Sequence, residues 1–174
     1  MDTLRNLPAI QAARLDNMPS LDALDADILR LFAHEPRVGV LEASRRLGVA
    51  RGTVQARLDK LTAAGVITGW GPALDADALG FPVSAFATLE ISQRPLDGEG
   101  GHSPVAEHLR AIPEVLEAHT ITGAADLMVR LVARSNADLQ RVIDDVVSSP
   151  YVVRASTVIV LATEIAPRLT QLLG

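Results

Sequence analysis

The chain of 174 residues contains no cysteine, and no apolar run in it is long enough to cross a bilayer. The first absence excludes a scaffold held by disulfides and a zinc site built on thiolates. The second excludes a membrane-spanning helix, which needs about 20 consecutive apolar residues. The first residues also lack the apolar core of a secretory signal. We therefore expect a cytoplasmic protein with no membrane partner.

Metal-binding and catalytic clusters are missing as well. The four histidines are His34, His102, His108 and His119, and none of them has the i, i+4 spacing of a helical metal-binding pair. No motif in the sequence combines a nucleophile with a general base. The sequence therefore predicts no metal site, no cofactor and no catalytic residue.

The charge of the chain is distributed unevenly. The net charge of −5 argues against a general polyanion binder. Within residues 21–71, however, seven basic residues slightly outnumber six acidic ones, and most of the acidic excess lies downstream. The N-terminal part is therefore better suited to a nucleic acid than the total suggests.

The most informative pattern lies between residues 41 and 67, where two short amphipathic helices flank a glycine turn. Gly48 permits the sharp reversal between them. The second helix places Val54, Leu58 and Leu61 on one apolar stripe and leaves a polar side facing outward. This arrangement is typical of a helix-turn-helix that reads DNA, although any small helical bundle has similar stripes.

Signals on either side complete the domain. A helix over residues 24–33, with Asp22 as its N-cap, would make a three-helix core. Gly65 is suited to end the last helix. Beyond it, the alternation in VITGWGPALD, residues 66–75, predicts a strand that leaves the bundle.

The second half of the chain has the element order of a ferredoxin-like fold. Strand patterns in SAFATLEIS, EVLEAHTIT, DLMVRLVA and VVRASTVIVL alternate with helical patterns near residues 105–111 and 137–147. The order βαββαβ predicts an antiparallel sheet with both helices on one face, so the fold class is α+β. In the first strand neither face is wholly polar, and we expect the uncovered face to be buried in a homodimer.

Several blocks of sequence resemble, in order, the Lrp/AsnC family of transcription regulators: LDALDADILRLF, RLGVARGTVQARLDKLTAAGVITGW, ALDADALG, IPEVLEAHTITGAADLMVRL and VVRASTVIVL. The resemblance implies an N-terminal winged or three-helix helix-turn-helix domain and a RAM-type ferredoxin-like domain that binds an effector. It also implies dimers that assemble into tetramers or octamers. The expected organisation is an arm (1–20), a DNA-binding domain (21–67), a linker strand and connector (68–82), an effector-binding and oligomerisation domain (83–163) and a C-terminal tail (164–174).

In such domains the outward N-terminal positions of the second helix of the unit meet base edges, while the preceding helix crosses the phosphate backbone. Arg51 is suited to guanine and Gln55 to adenine. For Arg57, an ion pair within the chain is as good an interpretation as a phosphate contact. The predicted contacts to double-stranded DNA are Arg45, Arg46, Arg51, Gly52, Thr53, Gln55, Arg57 and Lys60.

Two helix starts depart from the family pattern, which has serine where this chain has Gly39 and Ala50. Replacing a serine cap by alanine costs about 1 kcal/mol, and replacing it by glycine costs less. If the serine hydroxyl of the family pattern contacts a phosphate, that contact is lost here as well. We therefore expect weaker DNA binding. Because only Arg51 and Gln55 among the outward positions can hydrogen-bond bases well, we also expect few direct base contacts, with selectivity that depends on DNA bending and on several half-sites bound by one oligomer.

A turn between two strands is the candidate effector site. Its small residues leave backbone N–H groups open to a carboxylate, and Asp126 is placed to meet an ammonium group. From the residues alone, an ordinary hairpin turn explains the pattern. The resembled family binds its effector here, which implies an amino acid, with a branched or aromatic one as our guess. The predicted set is His119, Thr122, Gly123, Ala124, Ala125 and Asp126.

Two other functions stay open at this point. One is an architectural, chromatin-like DNA-binding protein without an effector. The other is an enzyme, since some relatives of the family decarboxylate sirohaem, for which His108 and His119 are the only local candidates. A transcription regulator gated by an amino acid is the leading hypothesis.

Overall fold

The structure, a computed structural model, describes residues 19–92 and 102–173. The described residues divide into two compact units, the first made by residues 19–73 and 165–173 and the second by those of residues 74–164 that are described. Most of the predicted arm and residues 93–101, between the first strand and the helix after it, lie outside the described residues. No described helix combines the length and apolarity needed to span a bilayer.

The first unit contains the three predicted helices. They are α1 (Ala23–His34), α2 (Val40–Leu47) and α3 (Arg51–Ala63), and a short 3-10 helix, Leu169–Leu173, joins them from the C-terminus. The apolar stripe of α3 is buried as predicted, and it packs with one residue of α1 and one of α2. These core residues are Ile28, Ala43, Val54, Leu58 and Leu61.

The ends of these helices follow the local signals in the sequence. Asp22 caps α1 in a reciprocal capping box with Asp25. Gly48 ends α2 in the left-handed conformation at φ 67°, which confirms its role in the turn. Gly65, at φ 70°, follows α3, and the next N–H group donates to the carbonyl of Leu61 at 2.9 Å. Ala50 caps α3 without a side-chain hydrogen bond, as expected for alanine.

The prediction of a strand over residues 66–75 is wrong, because this stretch contains no strand. Alternation predicts an extended backbone, but a strand also needs a second strand to pair its N–H and carbonyl groups. The described part of this unit supplies none. Instead Trp70 packs edge-on against Phe32, with ring centroids 5.6 Å apart.

The second unit has the predicted ferredoxin-like order. Its elements are β1 (Val83–Ile91), α4 (His102–Arg110), β2 (Val115–Thr120), β3 (Leu127–Ala133), α5 (Asn136–Val147) and β4 (Val152–Ile159). The strands lie in the order β2-β3-β1-β4, and every pair is antiparallel. Because β1 lies in the interior of the sheet, the burial of its residues shows which face of the sheet is covered.

One face of the sheet is covered by both helices. Ala85, Ala87 and Leu89 of β1 are buried in one cluster with Leu109 of α4 and Val142 of α5. The alternate residues of β1 are only half-buried. The prediction that both helices lie on one face is confirmed, and the other face of the sheet has no cover within the described chain.

Two glycines of the helix-turn-helix should respond in opposite directions to alanine. Gly48→Ala should lower the free energy of unfolding of the first unit by about 1 kcal/mol, because the left-handed conformation disfavours a Cβ. Gly52→Ala should raise it by up to about 1 kcal/mol, because Gly52 is helical and open space surrounds its Cα. Urea unfolding followed by Trp70 fluorescence measures both. Equal effects of the two substitutions would contradict this conformational difference.

Candidate nucleic-acid interface and ligand turn

The outward side of α3 is the predicted DNA-reading surface. Because Val54, Leu58 and Leu61 point into the core, the opposite side of this helix is left to solvent. All of its members are exposed, namely Arg51, Gly52, Gln55, Ala56 and Asp59. The first turn of α3 therefore offers polar groups that no core contact restrains.

Two of these side chains can hydrogen-bond base edges. Arg51 makes no ion pair with any described residue, so its guanidinium is available to a ligand. The amide nitrogen of Gln55 donates to Oδ1 of Asp59 at 2.9 Å, a contact on the exposed surface that an adenine edge can replace. Thr53 is exposed beside them.

Two cations farther along α3 are engaged within the chain. Nη1 of Arg57 donates to Oδ1 of Asp25 at 2.9 Å and also bonds the carboxylate of Asp22. Nζ of Lys60 lies 3.4 Å from the other oxygen of Asp25. The Arg57 side chain is 29% exposed, and that of Asp25 is fully buried. This arrangement, the Asp25 network, fixes α3 against the N-terminus of α1.

The network keeps its carboxylates ionised. Burial opposes ionisation of Asp25, but the hydrogen bonds from Arg57 and from the backbone of Asp22 hold its pKa below the ordinary value of 3.8. The hydrogen bond from Arg57 is the main reason that the pKa of Asp22 is also lowered. The hydrogen bonds that Arg57 donates to Asp22 and Asp25 raise its own pKa.

The two adjacent arginines of α2 differ in their surroundings. Nη1 of Arg46 lies 2.6 Å from Glu35 and its Nε lies 3.0 Å from Glu42. Arg45 is 70% exposed and reaches Glu42 only at 3.8 Å. Arg45 is therefore the freer of the two, and Arg46 is held between two carboxylates.

Asp25 is the important residue that the sequence reasoning missed. The sequence indicates an ion pair as one interpretation of Arg57, but it does not identify the partner. A signal was present in the D-x-x-D spacing of Asp22 and Asp25 at a helix start, which is typical of a capping box. The carboxylates that cap α1 are the ones that hold Arg57, and this partner lies 32 residues away in the chain.

The candidate effector turn joins β2 to β3 and is anchored to the end of β1. The Asp126 N–H group donates to the carbonyl of Leu89, and Oδ2 of Asp126 accepts from the Ile91 N–H group at 2.8 Å. Gly123 adopts φ 126°, which glycine tolerates best. No hydrogen bond to another described residue uses the N–H groups of residues 122–125. Thr122, Gly123 and Ala124 are exposed, while Ala125 and Asp126 are half-buried.

His119 belongs to a different cluster. Its Nε2 lies 3.3 Å from Oε2 of Glu117, and the other oxygen of Glu117 accepts from Arg130 at 3.1 Å. The hydrogen bond with His119, followed by that from Arg130, lowers the pKa of Glu117 against the opposing effect of burial. Among the described residues, no hydrogen bond joins His119 to the turn.

Together, the two units define a helix-turn-helix protein that carries a ferredoxin-like ligand-binding domain. A sequence profile described as winged helix-turn-helix DNA-binding matches residues 21–68, and one described as the Lrp/AsnC ligand binding domain matches residues 84–169. The chain belongs to the Lrp/AsnC family, and the predicted resemblance is confirmed.

Named relatives agree with this membership. The HTH-type transcriptional regulator FL11 of Pyrococcus horikoshii is 30% identical over 82% of this chain and 91% of its own length. The structure of Escherichia coli AsnC matches 87% of this chain and 99% of its own with a TM-score of 0.77 at 26% identity. A feast or famine regulatory protein from Mycobacterium tuberculosis, complexed with L-methionine, matches 86% and 97% with a TM-score of 0.73 at 25% identity.

These relatives are transcriptional regulators and not enzymes. The chain is therefore a DNA-binding regulator of the Lrp/AsnC type, and the sequence-based assignment of a non-enzyme is confirmed.

The Asp25 network should stabilise the first unit at neutral pH. Asp25→Asn should lower its free energy of unfolding at pH 7 by about 1–3 kcal/mol, because a buried charge-assisted hydrogen bond is weakened. A carboxyl with a lowered pKa contributes stability above its ordinary pKa of 3.8 and loses that contribution as the pH falls through the lowered value. The variant should therefore show a flatter dependence of stability on pH below about 4.

Trp70 fluorescence during urea unfolding at several pH values measures this effect, and Asp59→Asn is the control because that carboxylate is exposed on α3. An unchanged acid dependence in Asp25→Asn would contradict the role of the network.

Proposed function

We propose that the chain is a sequence-specific transcription regulator whose oligomeric assembly and DNA binding respond to an amino acid. The observation that carries this proposal is the pairing of two exposed sites in one chain. One is the polar first turn of α3, and the other is a turn with unused N–H groups beside a carboxylate. Since double-stranded DNA is the proposed partner, the cytoplasm is the expected location.

The residues proposed for the DNA interface have three roles, which are base reading, phosphate contact and support. Arg51 and Gln55 read base edges, with Gly52 allowing close approach and Thr53 donating to phosphate. Arg45 contacts phosphate from α2. The residues Arg46, Arg57 and Lys60 support the interface by fixing the helices, because each already lies near carboxylates of this chain. We expect only Arg51 and Gln55 to affect base preference.

Base reading by Arg51 predicts a specific loss. Arg51→Ala should weaken binding to the preferred site by about 1–3 kcal/mol and reduce the preference for guanine at one position. Arg45→Ala, the matched control, should weaken binding about equally across sequences and lower the salt dependence. Fluorescence anisotropy titrations at fixed salt, on a site and on its single-base variants, measure both effects. Uniform weakening by Arg51→Ala would show that Arg51 contacts only the backbone.

The effector proposal rests on chemical complementarity at the turn. A free amino acid carries a carboxylate, which suits the N–H groups of residues 122–125, and an ammonium group, which suits a carboxylate. Oδ2 of Asp126 is occupied by the Ile91 N–H group, and Oδ1 remains for the ammonium. The Mycobacterium tuberculosis relative complexed with L-methionine supports an amino acid as the ligand class. Ala124 and Ala125 leave room for a branched or aromatic side chain.

Asp126→Asn should weaken amino-acid binding about 10- to 100-fold, because it removes the charge that meets the ammonium while keeping an oxygen for the Ile91 N–H group. Calorimetric titration with leucine, phenylalanine and methionine measures this loss. Leucinol, which lacks the carboxylate, should bind the wild-type protein weakly. Asp144→Asn on α5 is the control, since Gln140 is the only described residue that its carboxylate bonds. Equal binding by Asp126→Asn and the wild type would exclude Asp126 from the site.

Self-association is the third part of the proposal. The uncovered face of the sheet combines half-buried Phe86 and Met128 with the charged cluster of Glu117 and Arg130. The edge strand β4 adds exposed apolar residues such as Val158. Burying such a surface against a second copy removes apolar area from water, which supports a dimer that assembles further into tetramers or octamers.

A further inference from the structure

The C-terminal segment returns to the DNA-binding unit after the chain has passed through the ligand-binding unit. The chain leaves the first unit at residue 73 and rejoins it at residue 165. The 3-10 helix Leu169–Leu173 then packs against α1. Its last residues lie beyond the stretch that the ligand-binding-domain profile matches, which ends at residue 169.

Two kinds of contact hold this segment. Nη2 of Arg30 donates to the carbonyl oxygen of Leu173 at 2.8 Å, which places a cation at the C-terminal end of the short helix. Thr170 and Leu173 are half-buried and face Leu29 and its neighbours. An apolar pocket between the short helix and the first unit is lined by Leu29, Ala33, Val66, Leu169, Thr170 and Leu173.

The contact is loose. The cavity that these residues line, about 240 Å³ in volume, is open to solvent. Leu169 and Leu172 are 78% and 80% exposed. A five-residue 3-10 helix also has little stability of its own. Such a segment can dock and release without unfolding the three-helix core, because it touches Leu29 and Val66 at the edge of that core and none of the five buried core residues lines the pocket.

We propose that residues 165–173 form a releasable latch that docks on α1 of the same chain and connects the DNA-binding unit to the ligand-binding unit a second time. With the latch docked, both ends of residues 74–164 are attached to the first unit. With it released, only the connection near residue 73 remains, and the DNA-binding unit gains freedom to reorient. This proposal concerns the fold and does not depend on an effector or on DNA.

The absence of cysteine from the chain permits a clean cross-linking test. Ala33→Cys combined with Thr170→Cys places thiols on both sides of the cavity, and a short bismaleimide should join them within one chain. Denaturing electrophoresis and mass spectrometry separate a cross-linked monomer from a cross-linked dimer. Each single-cysteine variant is a control, because its only possible cross-linked product joins two chains.

Adding Leu173→Asp to the double-cysteine protein should abolish the cross-linked monomer, because it places a charge in the apolar contact. Adding Leu172→Asp should leave the product unchanged, since that side chain is exposed on the same short helix. Circular dichroism should show that all variants fold.

The lone tryptophan, Trp70, lies in the first unit and reports its motion. In cysteine-free protein, Leu173→Asp should increase the fast component of its time-resolved fluorescence anisotropy, whereas Leu172→Asp should not. A cross-linked dimer without a cross-linked monomer would overturn the proposal in favour of docking on a second copy. Equal cross-linking and equal anisotropy in the Leu172 and Leu173 variants would overturn it outright.

Discussion

The buried carboxylate of Asp25 is the constraint on which the reading surface depends. This carboxylate is fully buried between α1 and α3. It accepts hydrogen bonds from the Asp22 N–H group at the start of α1 and from Arg57 of α3. A buried charge is costly unless it is paired and hydrogen-bonded, so only a narrow range of positions of α3 relative to α1 satisfies it. Apolar packing alone tolerates sliding of helices, whereas this contact fixes where the first turn of α3 lies.

The cations of the first unit are of two kinds. Arg46 and Arg57 are held by carboxylates, while Arg51 has no ion pair with a described residue. The positive charges of Arg46 and Arg57 are therefore largely neutralised by neighbouring carboxylates. The proposed specificity therefore depends on few side chains, and the proposed assembly would add to it, since several weakly selective units on one DNA act together.

Local signals predicted the parts of the fold that depend on local physics. The stripe of α3, the cap at Asp22 and the reversal at Gly48 each involve residues within a few positions of one another, and all are confirmed. The order of strands and helices in the second unit was also predictable, because the alternation of apolar residues changes period at each element.

The failures concern partners that are distant in sequence. The stretch 66–75 has the alternation of a strand, but alternation does not supply a partner strand. The partner of Arg57 lies 32 positions away, and the partner of Arg30 in the C-terminal segment lies 143 positions away. At the candidate site, the exposed face of α3 could be predicted from the sequence. The sequence did not show which arginines are paired with carboxylates.

The central claim is that one chain couples DNA binding to an amino acid, and the linkage between the two ligands tests it most directly. The affinity of the purified protein for its own upstream DNA should be measured at fixed salt, with and without each amino acid of a panel. The account predicts that at least one amino acid changes this affinity about 5- to 150-fold, the range of a typical coupling free energy. Tight binding that tolerates any sequence and ignores every amino acid would contradict it and would favour an architectural DNA-binding protein.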